Sequence, residues 1–366
     1  MLRVWGFGIM QRLQRLSFLQ QRRPGVQDFM TFSQQFAAML AAGIPVLTGL
    51  EILGEQTESR WLRNGIKAAA RRVEQGNTLT EALQQEGKLF SPFFLGMIEA
   101  GEAAGILDQT MQRLALHFKN RHDLEQKIRT ATIYPKFVFL FILGVAAFLL
   151  TFIVPAFADT FQGMGAKIPL PTRLLIVMGK GLRTYWYLLF LAGIVFYLLY
   201  LRVAKTKKGV FYLDWLRLRL PLFGHLYYKM MLAQFCQIFS AMLGSGVDIL
   251  RALDLLKNVV NNSVFHERIQ GIKKSIIKGG GIAETLAAAG IFPRLVVGMA
   301  SVGEQSGRLE EMLEKAAILY ESEVGHTAER LGALIEPALI FFLALLVGGI
   351  MLSVFLPLFN IFSLYL

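Results

Sequence analysis

Apolar residues recur along this chain in two rhythms. In 28–136 and 202–336 they return every three or four positions. Phe32, Phe36, Met39 and Leu40 follow that spacing, as do Leu107, Met111, Leu114 and Phe118 and, later, Leu309, Leu313, Ala316 and Tyr320. It gathers apolar side chains on one face of a helix and leaves the other polar. Three other stretches, 137–157, 185–201 and 338–359, contain no Asp, Glu, Lys, Arg or His. About 20 residues of helix cross a hydrocarbon layer of ~30 Å, so each is predicted to be a transmembrane helix.

The periodic regions are divided by helix-breaking chemistry. Gly43 with Pro45 separates two helices, because glycine can end one and proline can start the next. Thr78 and Glu81 form a capping-box pattern after the Gly76-Asn77 turn. Pro92 suits the first turn of another helix. About six short helices packed as a bundle is the economical reading of each region.

The two regions are copies of one another. FSQQFAAMLAAGI at 32–44 aligns with FCQIFSAMLGSGV at 235–247, and the register holds through Gly76 and Gly279, Glu81 and Glu284, Leu83 and Leu286. After a small insertion, Gly101-Glu102 matches Gly303-Glu304, Gly105 matches Gly307, Pro135 matches Pro337 and Pro155 matches Pro357. The repeat therefore includes a polar helical region and the apolar span after it. The middle span has no counterpart. Two copies in the same orientation need one extra crossing to return the chain, and this span supplies it.

The expected plan is an all-α membrane protein. A basic segment at 1–27 is followed by a first helical bundle at 28–136, a span at 137–157, an outer loop at 158–184, a span at 185–201, a second bundle at 202–336 and a span at 338–359. Lys119, Arg121, Lys127, Arg129 and Lys136 before the first span, and Arg202, Lys205, Lys207 and Lys208 after the second, place both bundles in the cytoplasm. Lys167, Arg173, Lys180 and Arg183 in the outer loop make that bias shallow.

Composition agrees with a membrane location. Charged residues make up 17% of the chain, and mean hydropathy is +0.47. The net charge of +12 fits anionic lipid and the positive-inside bias better than nucleic acid, given so few charges overall. The first 27 residues hold Arg3, Arg12, Arg15, Arg22 and Arg23 and no acid, with Trp5, Phe7, Leu13, Leu16 and Phe18 between them. A basic amphipathic helix on a membrane surface or a partner fits that pattern, as does an unstructured terminus.

Little points to catalysis or a cofactor. A single cysteine, Cys236, excludes an internal disulfide and a cysteine metal cluster. The five histidines form no HExxH pattern, and His117 and His122 fall on different helix faces. Gly279-Gly280-Gly281 lacks a following Lys and reads as a turn. The candidates for a partner contact or a structural motif are Gly43 and its match Gly246, Pro45, the matched Gly101, Glu102, Gly303 and Glu304, and the prolines Pro135 and Pro337 before the spans. Glu102 and Glu304 are expected near the start of a following helix, where the dipole favours an acid. Pro135 and Pro337 are expected to open the spans. Ala146-Ala147 and Gly348-Gly349 would let membrane helices approach closely. Arg71-Arg72 and Lys273-Lys274 are candidates for a charged contact.

These features together resemble the type II secretion F protein family, the inner-membrane platform proteins of type II secretion systems and type IV pili. The resemblance runs from about residue 28 to the C-terminus. It rests on the duplicated FxxxxAxML(A/G)xG(I/V) and GExxGxL segments, on Tyr134-Pro135 and Glu336-Pro337, and on Leu170-Pro171. It implies a non-enzymatic scaffold without cofactor, in contact with a cytoplasmic assembly ATPase, pilin or pseudopilin subunits, other inner-membrane assembly proteins and lipid. It also implies self-association as a dimer. The second copy departs at Asp248, which stands where the first has Pro45. The rival class is an oligomeric transporter or channel. Transporters line their path with polar groups at membrane depth, and these spans carry none, though a pore between several copies is also compatible with the sequence.

Overall fold

Every regular element of the described residues is a helix. The computed structural model describes residues 24–157, 170–221, 223–259 and 262–365. Most of the predicted basic N-terminal segment, and the part of the outer loop that holds Lys167, lie outside them. The first repeat contributes α1 (Val26–Ala41), α2 (Val46–Gln56), α3 (Arg60–Glu74), α4 (Leu79–Gln84), α5 (Pro92–Ala104) and α6 (Leu107–Phe148). After α6 the helix widens into a π-helical turn over Leu149–Ile153. Then come α7 (Leu170–Val203) and α8 (Lys207–Arg219). The second repeat contributes α9 (Phe223–Gly244), α10 (Ile249–Val259), α11 (Ser263–Ile277), α12 (Ile282–Ala289), α13 (Arg294–Ser306) and α14 (Leu309–Tyr365).

The repeat is reproduced in the backbone. Positive-φ glycines fall in matched pairs: Gly43 and Gly246 (79° and 81°), Gly76 and Gly279 (92° and 91°), Gly87 and Gly290 (65° and 68°), Gly105 and Gly307 (71° and 69°). The Gly87 and Gly290 pair lies beyond Leu83 and Leu286, in the same register. It places the one-residue insertion between Gly87 and Phe90, whose counterpart Phe292 has a ring 4.7 Å from Phe235. The expected caps form. Thr78 accepts a hydrogen bond from Glu81 N, Glu81 accepts one from Thr78 N, and Pro92 is the first residue of α5.

The chain divides into two compact units. Of the described residues, those up to Gln126 together with those of Asp214–Val324 build one, and those of Lys127–Leu213 together with those from Gly325 onward build the other. In the first unit both repeats share one hydrophobic core. It runs from Phe32, Phe36, Leu53 and Phe94 in the first copy through to Phe235, Phe239, Leu256 and Leu313 in the second. Phe29, Phe32, Phe90, Phe94 and Phe118 form a ring cluster with centroids 5.2 to 6.4 Å apart. Aromatic rings at such separations add packing energy beyond their buried area.

The second unit is apolar outside as well as in. Phe137, Leu140, Phe196, Phe341 and Leu352 are each well over half exposed. A water-facing patch of that kind would be costly, whereas a lipid-facing one is favourable. Among the described residues two helices are long and apolar enough to cross a membrane, one within 107–157 and one within 309–353, with mean hydropathies of 3.0 and 2.3. A third candidate is a bent pair, Arg173–Tyr185 and Phe190–Val203, turned by 71°. The bend falls at Tyr185, whose backbone leaves the helical region. Residues 170–184, read from sequence as part of a loop, are thus helical.

The prolines correct a second expectation. Pro135 lies inside α6 and Pro337 inside α14, so neither opens a helix. A proline within a helix leaves the carbonyl four residues earlier without its donor. For Pro135 that carbonyl belongs to Ala131, and Gly332 of α14 stands against it, with space for a Cβ only 3.5 Å from the oxygen. The π-helical turn before Pro155 absorbs the same defect there. Gly179 of α7 abuts that turn, since a Cβ on it would stand 2.0 Å from the Leu150 carbonyl oxygen.

Leu53 and its counterpart Leu256 are both fully buried. Leu53→Ala and Leu256→Ala should each destabilise the first unit by about 2–5 kcal/mol. Because the core is shared, each should lower a single thermal transition of that unit, measured in detergent by circular dichroism. Two transitions moving independently would indicate two separate cores.

Candidate functional site

The matched Gly-Glu segments build the most distinctive local geometry. Glu102 lies in the last turns of α5, and its carboxylate reaches the start of α4. Oε1 accepts from Leu79 N at 2.7 Å, and Oε2 accepts from Thr80 N at 3.0 Å and Thr80 Oγ1 at 2.7 Å. Glu304 repeats this on α12. Its Oε1 accepts from Ile282 N at 2.8 Å and its Oε2 from Ala283 N at 3.0 Å. The first amides of a helix have no partner within it, and they carry its positive end. Each glutamate therefore caps a helix some twenty residues before it. The helix after it, predicted as its site of action, is not the one it serves.

The glycines beside each acid set how closely the helices meet. A Cβ on Gly101 would stand 2.4 Å from Thr110 Oγ1, and one on Gly303 would stand 2.8 Å from Leu309 Cα. Gly105 and Gly307 then end α5 and α13 in the left-handed conformation, which glycine adopts without the steric cost other residues meet. Ile106 N donates to Gly101 O and Arg308 N to Gly303 O, both at 2.9 Å. The segment thus supplies a close approach, a cap for a distant helix and a turn.

The other candidate residues sit elsewhere. Gly43, Pro45 and Gly246 are exposed at the α1–α2 and α9–α10 turns. Pro45 is the residue before the first turn of α2. At the matching place, Asp248 Oδ2 accepts from Leu250 N at 3.0 Å and Arg251 N at 3.4 Å. The substitution therefore exchanges a conformational start signal for a hydrogen-bonded one. Pro135 and Pro337 belong to the second unit, so the structure does not gather the candidates into one constellation.

The charged candidates separate by role. Arg72 donates to Ala82 O at 3.2 Å and pairs with Glu86. Lys273 pairs with Asp254. Arg71 and Lys274, at equivalent repeat positions, are exposed. Gly279 and Gly280 form a turn before α12, and Gly281 faces the Glu304 carboxylate. The helix start that could have received a phosphate already holds the protein's own anion.

Between the repeats, within the first unit, lies a cleft of about 680 Å³. Arg113, His117 and Gln237 line it together with Glu310, Glu314 and Glu321. His117 is buried beside Phe93 and Phe118, and its Nδ1 has no hydrogen-bond partner among the described residues. Among the described residues no three His, Cys, Asp or Glu converge as metal ligands. Cys236 is buried, which pushes its thiol up to about 12 and leaves it unreactive. Sequence reasoning missed Asp214, a buried acid whose Oδ2 accepts from Ser263 N and Oγ, both at 2.9 Å, at the start of α11. It lies 49 residues from its partner, and nothing local marks it.

This is a duplicated helical membrane protein, with polar repeats packed as one body and helices that run from them into apolar segments. The family described as type II secretion system, protein F, matches residues 32–155 and 235–357, which are the two copies. The chain belongs to that family. It is 41% identical over 342 residues to a type IV pilus assembly protein PilC of Thermus thermophilus, covering 93% of this chain and 84% of the relative. It is 32% identical over 338 residues to a protein of the same name from Pseudomonas aeruginosa, covering 91% and 90%. A type II secretion system protein F of Xanthomonas campestris is 32% identical over 331 residues, covering 90% and 82%.

Glu102→Gln and Glu304→Gln should each destabilise the protein by about 1–3 kcal/mol, the value of charge-assisted hydrogen bonds at a partly buried cap. Glu102 also holds Thr80 Oγ1, so its substitution should lower the melting temperature more. Equal melting temperatures for both variants and the parent would remove the capping role.

Proposed function

We propose that this chain is the inner-membrane platform of a type II secretion or type IV pilus machine. In this reading it couples a cytoplasmic assembly ATPase to the insertion of pilin-like subunits from the membrane, and it is not itself an enzyme. Family membership supports the class of machine. The observation that carries the mechanism is the pairing of a fused double-repeat body with helices that continue unbroken into apolar segments. Such a body offers related faces to other proteins, and its spans can meet the apolar helices of subunits held in the membrane.

The topology that fits has three crossings, with α7 serving as one bent span. The basic residues before the first span and after the second favour the cytoplasm for both repeats. The energy then comes from a partner, in keeping with helix starts that are closed by Glu102 and Glu304. The exposed Arg71 and Lys274 are the proposed contacts for an acidic partner face, and Gly43, Pro45 and Gly246 mark exposed turns available to the same partners. Self-association and contact with other inner-membrane assembly proteins complete the proposed role.

Photo-crosslinkers at positions 71 and 274, in cells that assemble the machine, should capture its cytoplasmic ATPase, identified by mass spectrometry. Capture of no assembly component from either position, in cells where the variants still support assembly, would contradict this reading.

A further inference from the structure

The two repeats share a fold but meet through different faces. The first presents α5 and the second presents α10. Gly96 of α5 receives Leu255, whose Cδ1 would be 2.5 Å from a Cβ at that glycine. Three residues further along α5, Glu99 pairs with Arg251, which lies four residues before Leu255. Contacts that advance along one helix and retreat along the other define an antiparallel crossing. The join is heterologous, so among the described residues each repeat keeps unused the face that its sister employs: α2 in the first and α13 in the second.

The unused face of α13 shows what it lacks. Leu295 occupies the place of Phe93, Gly298 that of Gly96 and Val302 that of Ala100. Phe93 is 1% exposed, whereas Leu295 is 47% exposed and Val302 56%. Among the described residues a Cβ on Gly298 would meet nothing within 4 Å, although its counterpart Gly96 is filled. Residues 295, 298 and 302 fall on one side of a helix, so they form an apolar stripe with a glycine floor. The repeat register also carries Leu255 back to Ile52 of α2, which is half-buried and flanked by the exposed Thr48 and Glu55.

We propose that the α13 stripe is the docking groove for α2 of a second copy of this chain, joined in the register that the α5–α10 contact displays. That register sets Ile52 on Gly298 and Thr48 beside Ser301. One turn in the other direction it sets Glu55 beside Arg294, an exposed residue of opposite charge. The arginine–glutamate pair of the internal join is thereby replaced by an ion pair at the other end of the crossing. Contacts of this kind fix register more than they add affinity, and the buried stripe supplies the attraction. Because α2 and α13 are different faces, the contact either closes reciprocally in a two-fold pair that uses it twice or continues head to tail into a larger ring or a row. The inference deepens the platform reading and rests on its self-association.

The test uses two differently tagged full-length chains coexpressed in membranes, one with Ile52→Cys and the other with Gly298→Cys. The native Cys236 is buried and does not compete. Mild oxidation should give mixed-tag disulfide dimers, while neither variant pairs with itself. Absence of the mixed dimer, or equal pairing of Gly298→Cys with itself, would overturn the interface. Arg294→Glu should weaken mixed crosslinking about threefold, as expected for an exposed ion pair, and adding Glu55→Arg should restore it. Both positions are exposed, so folding is unaffected, and an unchanged yield in Arg294→Glu also overturns the register. The same membranes are scored for ATPase capture from position 274. Loss of the crosslink with capture intact removes the interface and leaves the platform reading standing. A crosslink retained without capture supports the interface and counts against the platform.

Discussion

A carboxylate that caps a helix it does not belong to holds each repeat together. α4 has six residues and α12 eight, lengths at which an isolated helix does not persist in water. Glu102 and Glu304 give these helices partners for their first two amides and tie them to α5 and α13 at the same time. The neighbouring glycines, Gly101 and Gly303, bring α5 and α13 against the helices that lead to the membrane. One short segment therefore couples the smallest helix of the repeat to the longest. It also closes a helix start that would otherwise attract anions, which leaves the repeats suited to recognition through their surfaces.

The same logic of neighbours completing one another runs through both units. In the first, two copies contribute to one core, and a glycine in one receives a leucine from the other. In the second, the carbonyl freed by Pro135 lies against Gly332, and Gly179 packs on the π-helical turn that precedes Pro155. Prolines and glycines here are paired defects. Pro135 and Pro155 each open a gap in backbone hydrogen bonding, and the close approach of a glycine at the first and a local widening at the second accommodate it.

Much of this was legible in the sequence because it is local or repeated. The helix stripes, the Thr78–Glu81 capping box, Pro92 at a helix start and the matched glycines all depend on residues a few positions apart. The destination of Glu102 was not legible, since its partners lie 22 and 23 residues earlier and only folding brings them together. The prolines misled for a related reason. Proline favours a helix start in isolation, but Pro135 and Pro337 lie within helices of 42 and 57 residues that continue on both sides of them. The asymmetric join of the repeats was hidden as well. Sequence symmetry suggests equivalent faces, and only the contacts of Gly96 and Gly298 reveal that they are used differently.

In the proposed role this chain is a structural intermediary whose partners supply energy and substrate. That role is tested most directly by ATP turnover, measured with the machine's purified assembly ATPase and with this chain reconstituted in liposomes, separately and together. The account predicts no turnover by the chain alone and a faster rate for the ATPase when the chain is present. Turnover by the chain alone, or an ATPase rate indifferent to its presence, would contradict it.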